Sequence, residues 1–271
     1  MTDQSPPGAG LLELVEPPAS GRLTTGVGGR VRLGDVAQSG RLRFDAIARI
    51  LQDASTDDSQ AALVDGGADA TEARGHAWVV RRMRIEVALP IRYRQQYATT
   101  TWCSGIGGRW AERRTDISID GQAAVRSAAL WVNIDVVTGR PAPIPSYFAR
   151  VYGEAANGRG ASQRLHLPTL PDAATATALG VTTATWPLRA TDFDVLGHVN
   201  NAAYLHALES HEISEVARAV ELEWRGGINP GDSVALVTSD TRAAGARVIT
   251  MWLVVDAEVR ATIRATAAVA I

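Results

Sequence analysis

The stretch that decides the fold is residues 191–204, which read TDFDVLGHVNNAAY. A related stretch, GDVAQSGRLRFDAI, lies 157 residues earlier, at residues 34–47. The aligned pairs are Asp35 and Asp192, Gly40 and Gly197, Leu42 and Val199, Ala46 and Ala203, Ile47 and Tyr204, Leu51 and Leu208, and Gln52 and Glu209. Self-similarity in one fixed register indicates an internal repeat. Two unrelated α+β domains are the alternative interpretation.

Hydrophobic periodicity gives both copies the same order of elements. The first copy predicts a strand over 27–34 and a helix over Arg41–Ala54, whose apolar residues recur at helical spacing. After a polar loop the period becomes two, which is typical of strands. The strands predicted next are Trp78–Leu89, Tyr97–Ser104, Arg109–Ile119 and Gln122–Val136. The second copy predicts strand Thr182–Leu188, helix Asn200–Ala217 and strands Val220–Arg225, Ser233–Arg242, Val248–Asp256 and Glu258–Ile271.

Each copy therefore predicts an antiparallel sheet wrapped round a central helix, since a helix buries its apolar stripe against one sheet face. The fold class is α+β, with two such units. We expect a flexible N-terminal tail over 1–20, an N-terminal domain over 21–137 and a C-terminal domain over 182–271. Proline and glycine spread through 138–181 indicate a linker, with a short helix near Tyr147–Tyr152.

Composition excludes several classes of protein. The chain has 271 residues and a net charge of −2, which argues against a general nucleic-acid binder. Its 27 basic residues are all arginine, so a Schiff-base lysine mechanism is excluded. The single cysteine, Cys103, allows neither an internal disulfide nor a cysteine-rich metal site. Without a secretory signal or a long apolar run, we expect a cytoplasmic protein with no membrane span, cofactor or metal.

The two copies differ in residues that can carry chemistry. Asp194 aligns with Ala37 and His198 with Arg41, so reactive groups are concentrated in the second copy only. A carboxylate such as Asp194 can act as a general base or as a nucleophile. We expect backbone amides near Val199–Asn201, at the start of the helix, to hold a carbonyl oxygen that gains charge.

Each of these residues also has a structural interpretation. Asp194 could cap its own turn, and His198 could simply pack there. Asn200 could cap the helix rather than take part in catalysis. Glu209, about two and a half turns further along the helix, could line a substrate pocket or face solvent.

The same residues resemble known enzymes. Residues 192–205 resemble the signature of hotdog-fold thioesterases. Several stretches of the first half resemble acyl-acyl-carrier-protein (acyl-ACP) thioesterases of plants and bacteria. They are Trp78–Met83, Thr101–Gly105, Trp110–Arg114, and Leu130–Asp135 with Thr138–Pro141. The resemblance covers about residues 27–242. It implies a tandem (double) hotdog and hydrolysis of the thioester that joins a fatty acyl chain to the phosphopantetheine arm of acyl carrier protein.

The resemblance carries over only part of the family's site. Asp194 and His198 match its Asp and His, but Leu196 stands where the family has Asn. The family's Glu and Cys fall near Ile228 and Asn229. The signature here is closer to that of single-hotdog acyl-thioesterases, which Asp194, Gly197–Asn201, Tyr204 and Glu209 fit. The resemblance implies Asp194 as the carboxylate, with His198 or Asn229 assisting.

The implied partner is acyl carrier protein, which is strongly acidic. Arginines form the candidate docking set: Arg81, Arg82, Arg84, Arg92, Arg94, Arg109, Arg113 and Arg114. We expect the acyl chain to lie in an apolar tunnel walled by the first-half helix, at Ile47, Ile50, Leu51 and Ala54. A homodimer is compatible with the pattern. The alternatives are an acyl-CoA thioesterase, a catalytically weak acyl-binding hotdog protein and an enoyl-thioester hydratase.

Overall fold

A computed structural model describes residues 15–65, 75–243 and 245–268 of the chain. These residues form two compact units, Val15–His166 and the part that begins at Leu167. Most of the tail predicted over 1–20 lies outside the described residues. The division falls at residue 166, whereas the sequence analysis expects a linker over 138–181.

The first unit contains a five-stranded antiparallel sheet. Its strands are β1 (Leu23–Arg30), β2 (His76–Val87), β3 (Gln96–Ile106), β4 (Trp110–Ile119) and β5 (Gln122–Asp135). Their spatial order is β1-β3-β4-β5-β2. The predicted period of two appears as alternating burial, as in β2, where Met83 and Ile85 are buried between more exposed neighbours.

Helix α1 (Phe44–Asp65) contacts β3 and β4 of this sheet. Its apolar stripe is buried, with Ile47 and Leu51 each at most 3% exposed. The helix continues well past its predicted end at Ala54. A polar loop is predicted to follow Ala54, but Asp58 is part of the helix, is buried and is ion-paired with Arg113. This partner is distant in sequence and invisible to local periodicity.

A second helix, α2 (Ser146–Ala156), lies within the stretch predicted to be a linker. It extends the short helix expected near Tyr147–Tyr152. Its aromatic residues join a buried cluster with Ala62, Cys103 and Ala111, and these aromatics are Tyr147, Phe148 and Tyr152. The first half of the predicted linker is therefore part of the core of the first unit.

The second unit repeats the topology of the first. A short helix, α3 (Ala173–Ala178), comes first. The strands that follow are β6 (Thr182–Trp186), β7 (Ala219–Trp224), β8 (Val234–Ala243), β9 (Ala246–Val255) and β10 (Glu258–Ala268). Their order, β6-β8-β9-β10-β7, is the order of the first sheet with each number raised by five. Every pairing among them is antiparallel.

The helix predicted over Asn200–Ala217 is broken into short pieces. They are a 3-10 turn at Ala203–Leu205, a four-residue helix α4 (His206–Glu209) and a 3-10 turn at Glu212–Glu215. The His211 side chain accepts a hydrogen bond from the Ile213 amide at 3.3 Å. This bond caps the last turn and replaces the continuous helical ladder that the periodicity predicts.

The glycine turns of the two copies share one hydrogen-bond pattern. In the first copy, Ala37 N donates to Arg41 O and Gly40 N donates to Ala37 O, at 2.8 and 2.9 Å. The equivalent bonds of the second copy are Asp194 N to His198 O and Gly197 N to Asp194 O, both 3.0 Å. The two glycines have φ of 79° and 78°, a left-handed conformation in which a side chain is strained. The same backbone atoms are therefore hydrogen-bonded in both turns, in the register that the repeat predicts.

Among the described residues, none of the helices combines the length and apolar composition that a bilayer crossing requires.

Candidate active site

The turn of the second copy is a short hairpin that places the predicted site residues on one face. Phe193 pairs with Val199, and Asp194 N bonds to His198 O, so Asp194 and His198 are directly opposite each other. Opposite residues of an antiparallel pair share a face, while their neighbours point the other way. Accordingly Val199 is buried at 4% exposure and His198 is exposed.

The two carboxylate oxygens of Asp194 have different surroundings. Oδ1 accepts a hydrogen bond from Leu196 N at 2.9 Å and so caps the turn. Oδ2 is approached by Nδ2 of Asn200 at 3.4 Å, which is a long bond. The turn-capping interpretation is thus correct for one oxygen. Oδ2 retains the capacity to accept a hydrogen bond from a water or a substrate.

Asn200 links the hairpin to the helical segment that follows. Its Oδ1 accepts from the Ala202 amide at 2.9 Å, which is the capping role considered in the sequence analysis. Its Nδ2 faces the Asp194 carboxylate. One side chain therefore shapes the backbone and orients the carboxylate at the same time.

A second group of contacts holds the imidazole of His198. Its Nδ1 lies 2.9 Å from Oδ1 of Asn229. The backbone amide of Asn229 donates to Asp232 Oδ2 at 2.8 Å, and its Nδ2 lies 3.5 Å from the same oxygen. The structure therefore brings together Asp194, His198, Asn200 and Asn229, with Asp232 added. Asp232 is not among the site residues predicted above; the signal that could have found it is residues 232–234, Asp-Ser-Val, which resemble a segment of the acyl-ACP thioesterases.

The predicted site for the carbonyl oxygen is wrong for two of its amides. Val199 N donates to Ile228 O at 2.9 Å, and Asn200 N donates to Asp192 O at 2.7 Å. Both N–H groups are already used to hold the hairpin in place. The pieces of helix that follow are also too short to carry a substantial dipole. Side-chain donors must supply most of the polarisation of a bound carbonyl.

The remaining predicted residues occupy different environments. Glu209 is the last residue of α4 and is partly buried. Tyr204 is a core residue at 1% exposure, and burial raises the pKa of its hydroxyl to about 12. Leu196 is 74% exposed at the tip of the turn. Ile228, near the family's Glu position, is fully buried and contributes its carbonyl rather than a side-chain charge.

A cavity of about 220 Å³ lies inside the first unit. Its walls are mainly apolar and aromatic, and they include Ala62, Leu63, Trp78, Ala111, Trp131 and Phe148. Helix α1 contributes one wall, as predicted, but with residues 55–63 rather than with Ile47–Ala54. The α1 residues that line this cavity lie beyond Ala54, where the predicted helix ends.

Two of the residues that line the cavity, Arg113 and Tyr152, belong to a buried ionic cluster. Nη1 of Arg113 and the Tyr152 hydroxyl each donate to Asp58 Oδ2 at 2.6 Å, and Arg113 Nη2 donates to the Tyr152 oxygen at 3.0 Å. Arg22 and Thr24 donate to Asp58 Oδ1. Burial opposes the charge of Asp58, but these donors outweigh it and hold the pKa of that carboxyl below its ordinary value.

The candidate docking arginines are not equally available. Arg113 and Arg114 are buried, and Arg114 pairs with Glu112. Arg84 pairs with Glu86. Nη1 of Arg82 donates to the backbone carbonyl of Arg164 at 2.6 Å. The exposed members of the set are Arg92, Arg94 and Arg109.

Most of the first unit is similar to a domain of known proteins. Residues 29–152 match the family model described as the acyl-ACP thioesterase N-terminal domain. This stretch of the chain is similar to that domain. The resemblance noted in the sequence is thereby confirmed, together with the class of enzyme that it implies, a thioester hydrolase. The cavity residues and the candidate docking arginines all lie within the matched residues 29–152, whereas Asp194 and His198 lie outside them.

Relatives and solved structures extend the likeness beyond that domain. An uncharacterized protein of Mycobacterium tuberculosis is 28% identical over 232 residues, which cover 83% of this chain and 86% of the relative. A structure assigned as an oleoyl thioesterase from Lactobacillus plantarum has a TM-score of 0.75 at 18% identity, covering 93% of this chain and 99% of its own. The 12:0-ACP thioesterase of Umbellularia californica has a TM-score of 0.73 at 18% identity, covering 90% and 93%. At this identity the likeness establishes the fold, which is hotdog-like.

Proposed function

We propose that this chain is a thioesterase that hydrolyses fatty acyl-ACP to free fatty acid. The observation that carries the proposal is the hairpin that gathers Asp194, His198 and Asn200 on one face, in a chain that also carries the family's N-terminal domain. Acyl-CoA is the alternative substrate, since it has the same phosphopantetheine thioester. The cytoplasmic location and the homodimer stay predictions.

The repeat supports a finer description of the fold as a tandem hotdog. Both units have the same strand order, and their glycine turns have the same hydrogen bonds. The first copy has Ala37 where the second has Asp194. We therefore assign the chemistry to the second copy and the holding of the acyl chain to the cavity of the first.

The proposed chemistry begins with a water bound to Asp194 Oδ2. The carboxylate takes one proton as the water oxygen attacks the thioester carbonyl carbon. The tetrahedral intermediate then collapses, the C–S bond breaks, and the sulfur leaves with the electron pair. The proton on Asp194 passes to the thiolate or to solvent, which restores the carboxylate. No thiol nucleophile is available for a covalent route, since Cys103 is buried in the first unit.

A thiol-release assay tests this assignment directly. Purified full-length protein is mixed with a panel of acyl-ACP and acyl-CoA substrates of increasing chain length, and released thiol is followed by absorbance. We expect turnover on saturated acyl thioesters and higher kcat/KM with the ACP series. Tight acyl binding without release would instead establish the acyl-binding alternative, and loss of enoyl absorbance would establish a hydratase.

The volume of the cavity predicts the acyl length. A cavity of about 150 Å³ lined by apolar side chains holds benzene, which has six carbons. The cavity here is about 220 Å³, and its lining includes Arg113 and Tyr152. Scaling by volume gives room for about eight or nine carbons. We expect kcat/KM to be highest for acyl chains of about this length.

Two neighbouring alanines of α1 allow a matched test of the cavity. Ala62 is 1% exposed and lines the cavity, whereas Ala61 is exposed and does not line it. Ala62→Leu adds three carbons to the cavity wall, so we expect the preferred acyl chain to shorten by about two or three carbons. Ala61→Leu should leave the profile unchanged. An unchanged profile in Ala62→Leu would place the acyl chain elsewhere.

A further inference from the structure

The contacts around His198 assign the tautomer of its neutral imidazole, and this inference rests on the proposed function. We propose that Asp232, Asn229 and Gly227 position the His198 ring so that its Nε2 accepts a hydrogen bond from the second O–H of the attacking water. In this arrangement Asp194 Oδ2 and His198 Nε2 hold one water between them. Asn229, Asp232 and Gly227 act as positioning residues, since they work through the imidazole.

The first step of the inference is the orientation of the Asn229 amide. A carboxylate such as Asp232 only accepts hydrogen bonds, so the edge of the amide that faces it must be the NH₂ group. Nδ2 of Asn229 lies 3.5 Å from Asp232 Oδ2, and the backbone amide of Asn229 anchors the same oxygen at 2.8 Å. The carbonyl oxygen of the Asn229 side chain therefore faces His198.

The second step follows from that oxygen. Asn229 Oδ1 lies 2.9 Å from Nδ1 of His198, and a carbonyl can only accept. Nδ1 must therefore carry the proton. In the neutral imidazole the other nitrogen, Nε2, then has its lone pair free and acts as an acceptor. Asp232 determines the orientation of the Asn229 side-chain amide, and that amide determines the tautomer of the His198 ring.

The third step concerns the face of the ring. A Cβ added to Gly227 would lie 3.1 Å from Nδ1 and 3.3 Å from Cγ of His198. The imidazole thus lies against bare backbone at this glycine. Any larger residue would push the ring away from its bond to Asn229. Gly227 has no positive φ, so close packing with His198 is the structural reason for glycine here.

The last step joins the ring to the carboxylate. Asp194 and His198 are directly opposite each other in the hairpin, and such pairs have Cβ atoms about 4.5–5.5 Å apart on one face. A water between them can donate one proton to each acceptor, which directs its oxygen lone pair outward. Asp194 takes the proton that leaves during attack. The proton that is hydrogen-bonded to His198 stays on the attacking oxygen, becomes part of the new carboxyl group and is lost to solvent afterwards.

The tautomer can be measured without any substrate. Nitrogen NMR of ¹⁵N-histidine-labelled full-length protein, about two pH units above the usual imidazole pKa of about 6.5, distinguishes protonated Nδ1 from protonated Nε2. We expect wild-type His198 to carry its proton on Nδ1. Asn229→Leu and Asp232→Ala should shift the ring toward the Nε2-protonated form, and Asn229→Asp should restore Nδ1. Protonated Nε2 in the wild type would overturn the proposal, whatever the enzyme hydrolyses.

The second test of the proposal measures kcat/KM of variants at two neighbouring glycines. Gly227→Ala should lower kcat/KM about tenfold, since small displacements of a reacting group are costly. Gly226→Ala is the matched control, because its Cβ meets only the flexible side chain of Arg260. We expect Gly226→Ala to retain wild-type kcat/KM, with both variants unfolding near the wild-type temperature. Equal rates in the two variants would show that ring position does not matter. A His198 ring protonated on Nε2 in a protein that still hydrolyses acyl-ACP would overturn this inference alone. A ring protonated on Nδ1 in a protein that does not hydrolyse acyl thioesters would overturn the proposed function alone.

Discussion

Replacing Asp194 with Asn is expected to lower kcat for acyl-ACP hydrolysis by about 100-fold or more, since a positioned general base contributes about 10²–10⁴-fold. The change is nearly isosteric. An amide oxygen at Oδ1 can still accept from Leu196 N, so the turn should keep its shape. The basic Oδ2 is what the variant removes. The measurement is single-turnover release of thiol from acyl-ACP, followed by absorbance.

An exposed aspartate provides the control for this variant. Asp120 lies at a turn with φ of 49°, a conformation that Asn tolerates well. Asp120→Asn removes one negative charge without touching the hairpin, and it should retain full activity. Hydrolysis within a few-fold of wild type in Asp194→Asn would rule out Asp194 as the base.

Replacing Asp58 with Asn is expected to cost about 3–5 kcal/mol of the free energy of unfolding. The reason is that Arg113, itself 7% exposed, would remain buried without its counter-charge. Tyr152 and Arg22 would also lose a charged acceptor. Urea unfolding at neutral pH measures the difference. Asp57→Asn, the exposed neighbour on the same helix, is the control and should change stability by about 0.5 kcal/mol or less.

The stability contributed by Asp58 has a definite pH dependence. Its folded-state pKa is below the value of about 3.9 for the unfolded chain. The contribution is therefore complete above that unfolded pKa and is lost as pH falls through the folded pKa. We expect the gap between wild type and Asp58→Asn to be constant from neutral pH down to about pH 5 and to narrow below about pH 4. A gap that widens with acid would contradict the ionised state of Asp58.

Local patterns in the sequence were sufficient for most of the sheet. Alternation of apolar residues predicted strands such as Gln122–Val136, because the period of two is a property of a strand alone. The register of the repeat was also readable. Gly40 and Gly197 mark equivalent turns, and their positive φ requires glycine in both copies.

Features that depend on distant partners were not readable. The continuation of α1 depends on Arg113, which lies 55 residues beyond Asp58. The contact between His198 and Asn229 spans 31 residues of chain. The amide of Val199 looked available for a substrate because its acceptor, Ile228 O, comes from a segment that no helical or strand period connects to it. Sequence patterns predict which residues form the hairpin, but not which of their hydrogen-bonding groups already have a partner.

The single cysteine, Cys103, can also be used to monitor the protein itself. Cys103 is 1% exposed, and burial raises the pKa of its thiol to about 11. At pH 8 only about one thousandth of it is thiolate, the reactive form. Thiol-detecting reagents should therefore react with the released coenzyme or carrier thiol and not with Cys103 of the folded enzyme. Delayed labelling of Cys103, by contrast, times the opening of the first unit. Because this sulfur lines the cavity, an acyl ligand should slow that labelling further.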